Sequence, residues 1–271
     1  MTRISEPLLK EAPRELARRE GGICRGEQVF ELRDDVRRSI PLALTPQGRE
    51  QFLHWFIVLG GQRETGATLA DLLAYLFEQD SLPDRGLAAS YRVHPDWQKR
   101  WPNALTSAGW DSFKCGLAAE FGITERWLGD ASLPPDHELP ADSSELGANV
   151  LGLFRHTSGL QQNAVAVVGA LAEAGVKLSL RDIPMAFHRD PRRRRGFDGL
   201  ERYPVTLLDI GLDMTAAEVY RRAGLYQRED RYRIAVWSWE LEQLPEEWHD
   251  RAEGFDEVWA PTEFIAAAVR P

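Results

Sequence analysis

Residues 149–183 read NVLGLFRHTSGLQQNAVAVVGALAEAGVKLSLRDI, and the change of apolar period along this stretch decides the fold class. Residues 149–154 form a continuous apolar run of strand length. Leu160, Ala164, Val167, Val168 and Leu171 then recur at helical spacing, and Gly175 sits behind the last turn, where a glycine closes a helix. A second run of strand length, 177–183, follows. Strand, helix and strand in this order make a βαβ unit, whose two strands lie parallel.

Downstream, residues 205–210, 233–237 and 257–259 read as further strands. Between them Thr215 and Glu218 have the spacing of a capping box, and Pro245, Glu246 and Glu247 open a helix with acids at its positive end. Thr262 is placed to cap a last helix. Residues 146–271 are therefore expected to form a Rossmann-like parallel sheet in an α/β chain.

Upstream the pattern differs. Residues 132–144 read SLPPDHELPADSS, rich in proline and acid with no apolar period, so residues 132–145 are expected to be a linker, with His137 solvated. Residues 1–131 are expected to be a helical module with an internal repeat. Pro41, Ala43, Leu44, Thr45, Gly48 and Phe52 return as Pro102, Ala104, Leu105, Thr106, Gly109 and Phe113, at a constant offset of 61 residues. Thr45 can cap a helix whose first turn accepts Pro46. Phe52, Trp55, Phe56 and Leu59 then share a stripe. Another helix starts at Thr68 and carries Leu69, Leu72, Leu73, Leu76 and Phe77, while Phe113, Leu117 and Phe121 repeat the pattern in the second copy. Trp97, Trp101 and Trp110 at such spacing read as core.

Composition bounds the function. At 43% hydrophobic and 28% charged the chain is globular, and a net charge of −9 argues against generic nucleic-acid binding, which needs a basic face. Residues 1–20 lack the apolar core of a secretory signal, and no run reaches the ~20 apolar residues of a membrane span. Cys24 and Cys115 have no metal-ligand spacing. A cytoplasmic protein with reduced thiols and no metal is expected.

In an open parallel sheet ligands bind beyond the carboxyl ends of the strands. That rule nominates loops 155–159, 184–203, 211–213, 238–244 and 261–262. Arg155, His156, Thr157, Ser158 and Gly159 join a strand to a helix N-terminus, whose N–H groups and dipole suit an anion or a hydroxyl. Asp182 stands where a dinucleotide enzyme carries its ribose-binding acid, but Gly152 and Gly159 are too far apart for G-x-G-x-x-G. Glu240 can act in acid–base chemistry or bond a ligand hydroxyl, and its alternative is a cap or an ion pair. Trp239 can stack on a ligand or pack in the core, and it alternates with Trp237. Asp209 can bind hydroxyls or cap a turn. The Arg192–Arg195 run, near His188, can meet a phosphate or remain a solvated loop.

Residues 231–269 read RYRIAVWSWELEQLPEEWHDRAEGFDEVWAPTEFIAAAV. An apolar strand ends in W-x-W-E-L, a proline and a tryptophan follow, and then an aromatic-D-E-V-W-x-P-T-x-F stretch. Trp237, Trp239, Glu240, Leu241, Pro245, Trp248, Phe255, Asp256, Glu257, Trp259, Pro261, Thr262 and Phe264 carry this pattern. It resembles a segment of bacterial family 4 GT-B glycosyltransferases, which build surface polysaccharides. Residues 150–171 resemble the opening of that family, and the repeat resembles an N-terminal extension of some members. Gln161 and Gln162 depart from the family's glycine and acid, and Asp209 and Ile210 from its histidine and asparagine.

The resemblance implies an acceptor-side domain for sugar transfer from a nucleotide sugar to a glycan or lipid-linked acceptor. Glu240 and His156 become catalytic candidates, and Arg155, Ser158, Gly159, Asp209, Trp239 and Thr262 substrate-binding ones. It also implies that the chain stops before the donor-binding half. The fold is therefore expected to be truncated and the isolated chain inactive, with no cofactor of its own. An open face should then pair with a C-terminal GT-B domain or self-associate. The other reading is a non-catalytic carbohydrate-binding or scaffolding module.

Overall fold

The computed structural model describes residues 25–59, 61, 69–124, 126–135, 139, 147–185 and 196–270. Cys24, Thr68, His137, His188, Arg192–Arg195 and much of the expected linker lie outside these residues. The chain divides into two compact units, Met1–Ala141 and Asp142–Pro271.

The first unit is helical, and its sequence repeat is a repeat of structure. Helix α1 (Arg25–Leu32) leads into α2 (Asp34–Ser39), a turn, and α3 (Arg49–Leu53), entered through a 3-10 turn at Pro46–Gly48. Helix α4 (Leu69–Ser81) follows, and then the second copy begins. It comprises α5 (Pro83–Arg92), α6 (Pro95–Arg100) and α7 (Trp110–Phe121), with α8 (Arg126–Asp130) behind. Ile40 and Trp101, which end α2 and α6, have φ/ψ of −131°/66° and −127°/67°. Thr45 and Thr106 each donate their hydroxyl at 2.8 Å to the carbonyl three residues back, on Leu42 and Asn103.

The forward bonds differ. Thr45 makes no side-chain cap, whereas Thr106 also accepts from the Gly109 N–H at 3.1 Å, and the α-helical residues begin only at Arg49 and Trp110. The A-L-T-x-x-G signature is therefore a turn motif, and the glycine explains itself. A β-carbon on Gly48 would collide with the Leu42 carbonyl, and one on Gly109 with the Asn103 carbonyl.

Phe52 and Phe113 centre the two copies. Phe113 gathers Trp97, Trp101 and Trp110 at ring-centroid distances of 5.6, 5.5 and 5.7 Å, so these tryptophans pack structurally. Removing a buried ring of this kind costs about 3–5 kcal/mol. The stripe expected after Phe52 holds only to Phe56. The chain passes into a π turn at His54–Val58, whose wider period rotates Leu59 outward to 62% exposure. In α4 the buried face also runs through Asp71, Tyr75 and Gln79 rather than following the leucines alone. Tyr75 and Gln79 both donate to the Ala43 carbonyl.

The second unit is a five-stranded, all-parallel sheet with order β2-β1-β3-β4-β5. The strands are β1 (Gly147–Gly152), β2 (Lys177–Asp182), β3 (Val205–Gly211), β4 (Tyr232–Ser238) and β5 (Glu257–Trp259). Helix α9 (Gly159–Glu173) joins β1 to β2, α10 (Ala216–Ala223) joins β3 to β4, and α11 (Glu263–Val269) follows β5. The segment expected to be a helix after Pro245 is a 3-10 turn, Glu246–Ala252. The chain is α/β and Rossmann-like, as its period implied.

The pleat sorts side chains between two layers. Ala148, Leu207, Ile234 and Val236 meet Val167 and Leu171 of α9 on one face. On the other, Arg233 lies over Tyr220 of α10, and Arg181 donates to the Ala223 carbonyl. The β2 edge is covered by residues 197–199, which run antiparallel to it. The Asp182 N–H donates to Phe197 and the Gly199 N–H to Leu180, both at 2.8 Å.

Candidate functional site

The sheet order places a switch point between β1 and β3, because the chain leaves β1 toward β2 and leaves β3 in the opposite direction, toward β4. Crevices at such points are where open α/β sheets hold ligands. Gly152 ends β1 there, in register with Asp182 of β2 and Asp209 of β3, so two carboxylates flank a glycine on the α9 face. A β-carbon on Gly152 would lie 3.0 Å from that of Ala164. The glycine therefore lets α9 approach closely and sets its first turn against the strand ends.

The β1–α9 loop is held by its own side chains. Ser158 caps α9 by accepting from the Gln161 N–H at 3.2 Å, and the Gln161 amide donates to the Phe154 carbonyl at 2.6 Å. Asp182 accepts the Arg155 N–H at 2.9 Å and is buried, so it serves the loop and presents no open carboxylate to a ribose. His156 is buried as well, and its Nε2 accepts from the Met185 N–H at 3.1 Å. That bond ties the loop to the chain leaving β2. Arg155 is buried and Gly159 is exposed.

Asp209 is the electrostatic anomaly of the site. It is fully buried, one oxygen accepts from the Asn163 amide of α9 at 2.7 Å, and the other has no partner. Burial pushes its pKa up to about 7, with the Asn163 bond opposing that shift. A carboxyl poised near neutrality beside a helix N-terminus is a group whose charge depends on its surroundings. Asn163, which sequence reasoning passed over, is its partner. Only the polar residue among the small ones of α9 marked it.

The remaining candidates follow β4 and β5. Trp237 points into the core, against Phe255 at 6.0 Å, and its indole N–H has no partner there. Trp239 lies past the end of β4, half-buried. It packs on Trp248 at 5.3 Å and donates to the Gln243 carbonyl at 3.3 Å. Glu240 is exposed next to it. Thr262 caps α11 by accepting from the Ile265 N–H at 3.2 Å. The loops after β1, β3, β4 and β5 all lie at the carboxyl edge of one sheet. Within it the structure joins Asp209 to α9 and Asp182 to Arg155. It records no direct bond between these and Trp239 or Glu240.

Sequence reasoning also missed a buried polar cluster on the α10 face. Glu201 accepts from Thr206 at 2.6 Å and from the Tyr220 hydroxyl, which in turn accepts from Arg233 Nε at 3.2 Å. Asn149 ties the same region through the Tyr203 carbonyl and the Arg202 N–H, both at 2.8 Å. These groups gather toward the amino ends of β1, β3 and β4, away from the switch point.

Among the described residues no cluster of three metal-ligating side chains occurs, and no helix is long and apolar enough to cross a membrane. Compared with protein-family models, with curated proteins and with solved structures, the chain matches none.

Proposed function

We propose that the chain is the acceptor-side part of a GT-B glycosyltransferase, binding a glycan or lipid-linked acceptor at the carboxyl edge of its parallel sheet. One observation carries the reading. The W-x-W-E-L segment and the P-T cap, on which the family resemblance rests, follow β4 and β5 at the same edge as the β1–α9 loop. In this reading Trp239 offers an aromatic face to a sugar ring, Glu240 bonds a hydroxyl, and the first turn of α9 lines the floor. Sugar transfer needs in addition a domain that holds the nucleotide sugar.

The non-catalytic reading is favoured by a different observation. His156, Ser158 and Thr262 spend their side chains on backbone groups of this fold, and Asp209 is closed off by α9. Among the acids and bases named, Glu240 alone is both exposed and at the edge.

Saturation-transfer NMR with a panel of methyl glycosides, UDP and GDP separates the readings. The glycosyltransferase reading expects a glycoside to receive saturation, Trp239→Ala to abolish it, and the nucleotides to receive none. A nucleotide signal without a glycoside signal overturns the acceptor-side assignment. Glycoside binding with no transfer on addition of any donor-binding domain leaves the binding module.

A further inference from the structure

Arg251 is the single arginine in the connection from β4 to β5, and it is tied down without being neutralised. Its Nη1 donates to the Asp213 carbonyl at 2.9 Å, and its guanidinium lies over the Trp248 ring at 5.7 Å. Elsewhere in this unit Arg221, Arg222, Arg228 and Arg231 reach Glu218 or Asp230. Arg251 makes no such pair among the described residues, although Glu246 and Asp250 share its 3-10 turn and are exposed. Four of its five N–H groups are left to spend.

Those two ties fix where the guanidinium stands. Asp213 belongs to the loop after β3, and Trp248 packs at 5.3 Å on Trp239, which follows β4. A β-carbon on Gly254 would lie 3.3 Å from that of Ala216, so the end of the 3-10 turn is seated on the start of α10. Arg251 therefore bridges the loops after β3 and β4 at the carboxyl edge of the sheet. It is half-buried there, beside two half-buried indoles whose planes are inclined at 60°.

A guanidinium stacked on an aromatic face and pinned by one carbonyl keeps its planar fork, which matches the two oxygens of a carboxylate or a phosphate. Much of the side-chain freedom that binding would remove is already gone. We infer that the ligand of this edge is an acidic sugar. Its ring rests on the Trp239–Trp248 pair, and its oxyanion, a carboxylate or a phosphate ester, meets the remaining N–H groups of Arg251. The inference rests on the acceptor reading above and narrows it, from any glycan to one that carries negative charge. The exposed acids of the turn oppose a free anion, so charge alone gives little binding, and ring and oxyanion are needed together.

The test titrates the full chain with methyl glucuronide and methyl galacturonide, with their neutral counterparts methyl glucoside and methyl galactoside, and with glucose 1-phosphate and acetate. An acidic sugar is expected to bind about tenfold or more tightly than its neutral counterpart, and acetate not to bind at the same concentrations. A uronate or the sugar phosphate binding the more tightly identifies which oxyanion the site takes. Arg251→Gln, which keeps a donor for the Asp213 carbonyl, and Arg251→Met should bring the acidic sugar down to the affinity of the neutral one, with unchanged melting. Arg251→Lys should restore only part of the preference, because an ammonium has no fork. Equal binding of acidic and neutral glycosides overturns the inference and leaves the acceptor reading standing. A preference that survives in both the glutamine and methionine variants, or acetate binding as tightly as a uronate, overturns it as well. If no sugar of either kind binds, the acceptor reading falls and the inference falls with it.

Discussion

Asp209 and Asn163 meet across the β3–α9 contact in a single 2.7 Å hydrogen bond, which is all the support a fully buried carboxyl receives. With its pKa raised to about 7, Asp209 is protonated in the folded chain under conditions that ionise it in the unfolded one. The stability it contributes is therefore complete below the ordinary carboxylate range and is lost as pH rises toward 7. At ~1.4 kcal/mol per pH unit the loss is on the order of 4 kcal/mol. Asp209→Asn should unfold at higher urea than the parent at pH 8 and lose the slope between pH 4 and 7. Equal midpoints at pH 8 would show that Asp209 ionises without cost.

The glycines allow a contrast within one fold. Gly48 and Gly109 occupy equivalent turns of the two repeats, and each faces a carbonyl too close for a β-carbon. Gly48→Ala and Gly109→Ala should each lower stability by about 2 kcal/mol or more, since backbone cannot yield as a flexible side chain does. Gly159 starts α9 with open space around its β-carbon position. Gly159→Ala should be neutral or raise stability by about 0.5–1 kcal/mol. Thermal melts of the three variants check the order.

How much of this was legible depended on whether the signal was local. The βαβ period, the parallel strands and the Thr215 and Thr262 caps were readable because each rests on residues a few positions apart, whereas Ser158, read as a substrate-binding hydroxyl, caps α9. The repeat was readable from six identities. It did not show that α2 and α6 match as well, because DDVRRS and PDWQKR share little but their cap geometry. The role of Thr45 was misread because a threonine before a proline suits a cap and a turn alike, and the forward bond that Thr106 accepts from Gly109 is missing at Thr45. The Asp209–Asn163 pair and the Glu201 cluster join residues far apart in the chain, and nothing local announces them.

His94 joins the two repeats. Its ring contacts the Ser90 carbonyl at 2.6 Å and the Arg37 carbonyl at 3.1 Å, and it stacks on Trp97 at 4.3 Å. Burial lowers its pKa despite those two carbonyls, so the folded state holds the ring neutral. Protonation then favours the unfolded chain, and stability should fall as pH drops through the ordinary histidine range. His94→Ala should cost about 2–4 kcal/mol at pH 8 and remove that acid-side loss. Urea titrations at pH 5.5 and 8 on both chains measure it. An unchanged pH difference in the variant would place the acid sensitivity elsewhere.

Tyr220 lets the buried cluster be tested apart from the ligand edge. Its hydroxyl donates to Glu201 and accepts from Arg233, and its ring lies beneath the Arg233 guanidinium at 5.3 Å. Burial, with the nearby Glu201 carboxylate, pushes the phenol pKa well above its ordinary value, so the hydroxyl remains a donor at every accessible pH. Tyr220→Phe keeps the ring and the cation–π contact but leaves the Glu201 carboxylate with one fewer donor in a buried place. Stability should fall by about 1–3 kcal/mol, the cost of an unmet buried partner. Glycoside binding at the opposite end of the strands should be unchanged in the folded variant. Chemical denaturation and saturation-transfer NMR on one sample read both quantities. A loss of ligand signal at full folding would mean that α10 transmits its packing to the carboxyl edge, and would place the cluster among the residues that shape the site.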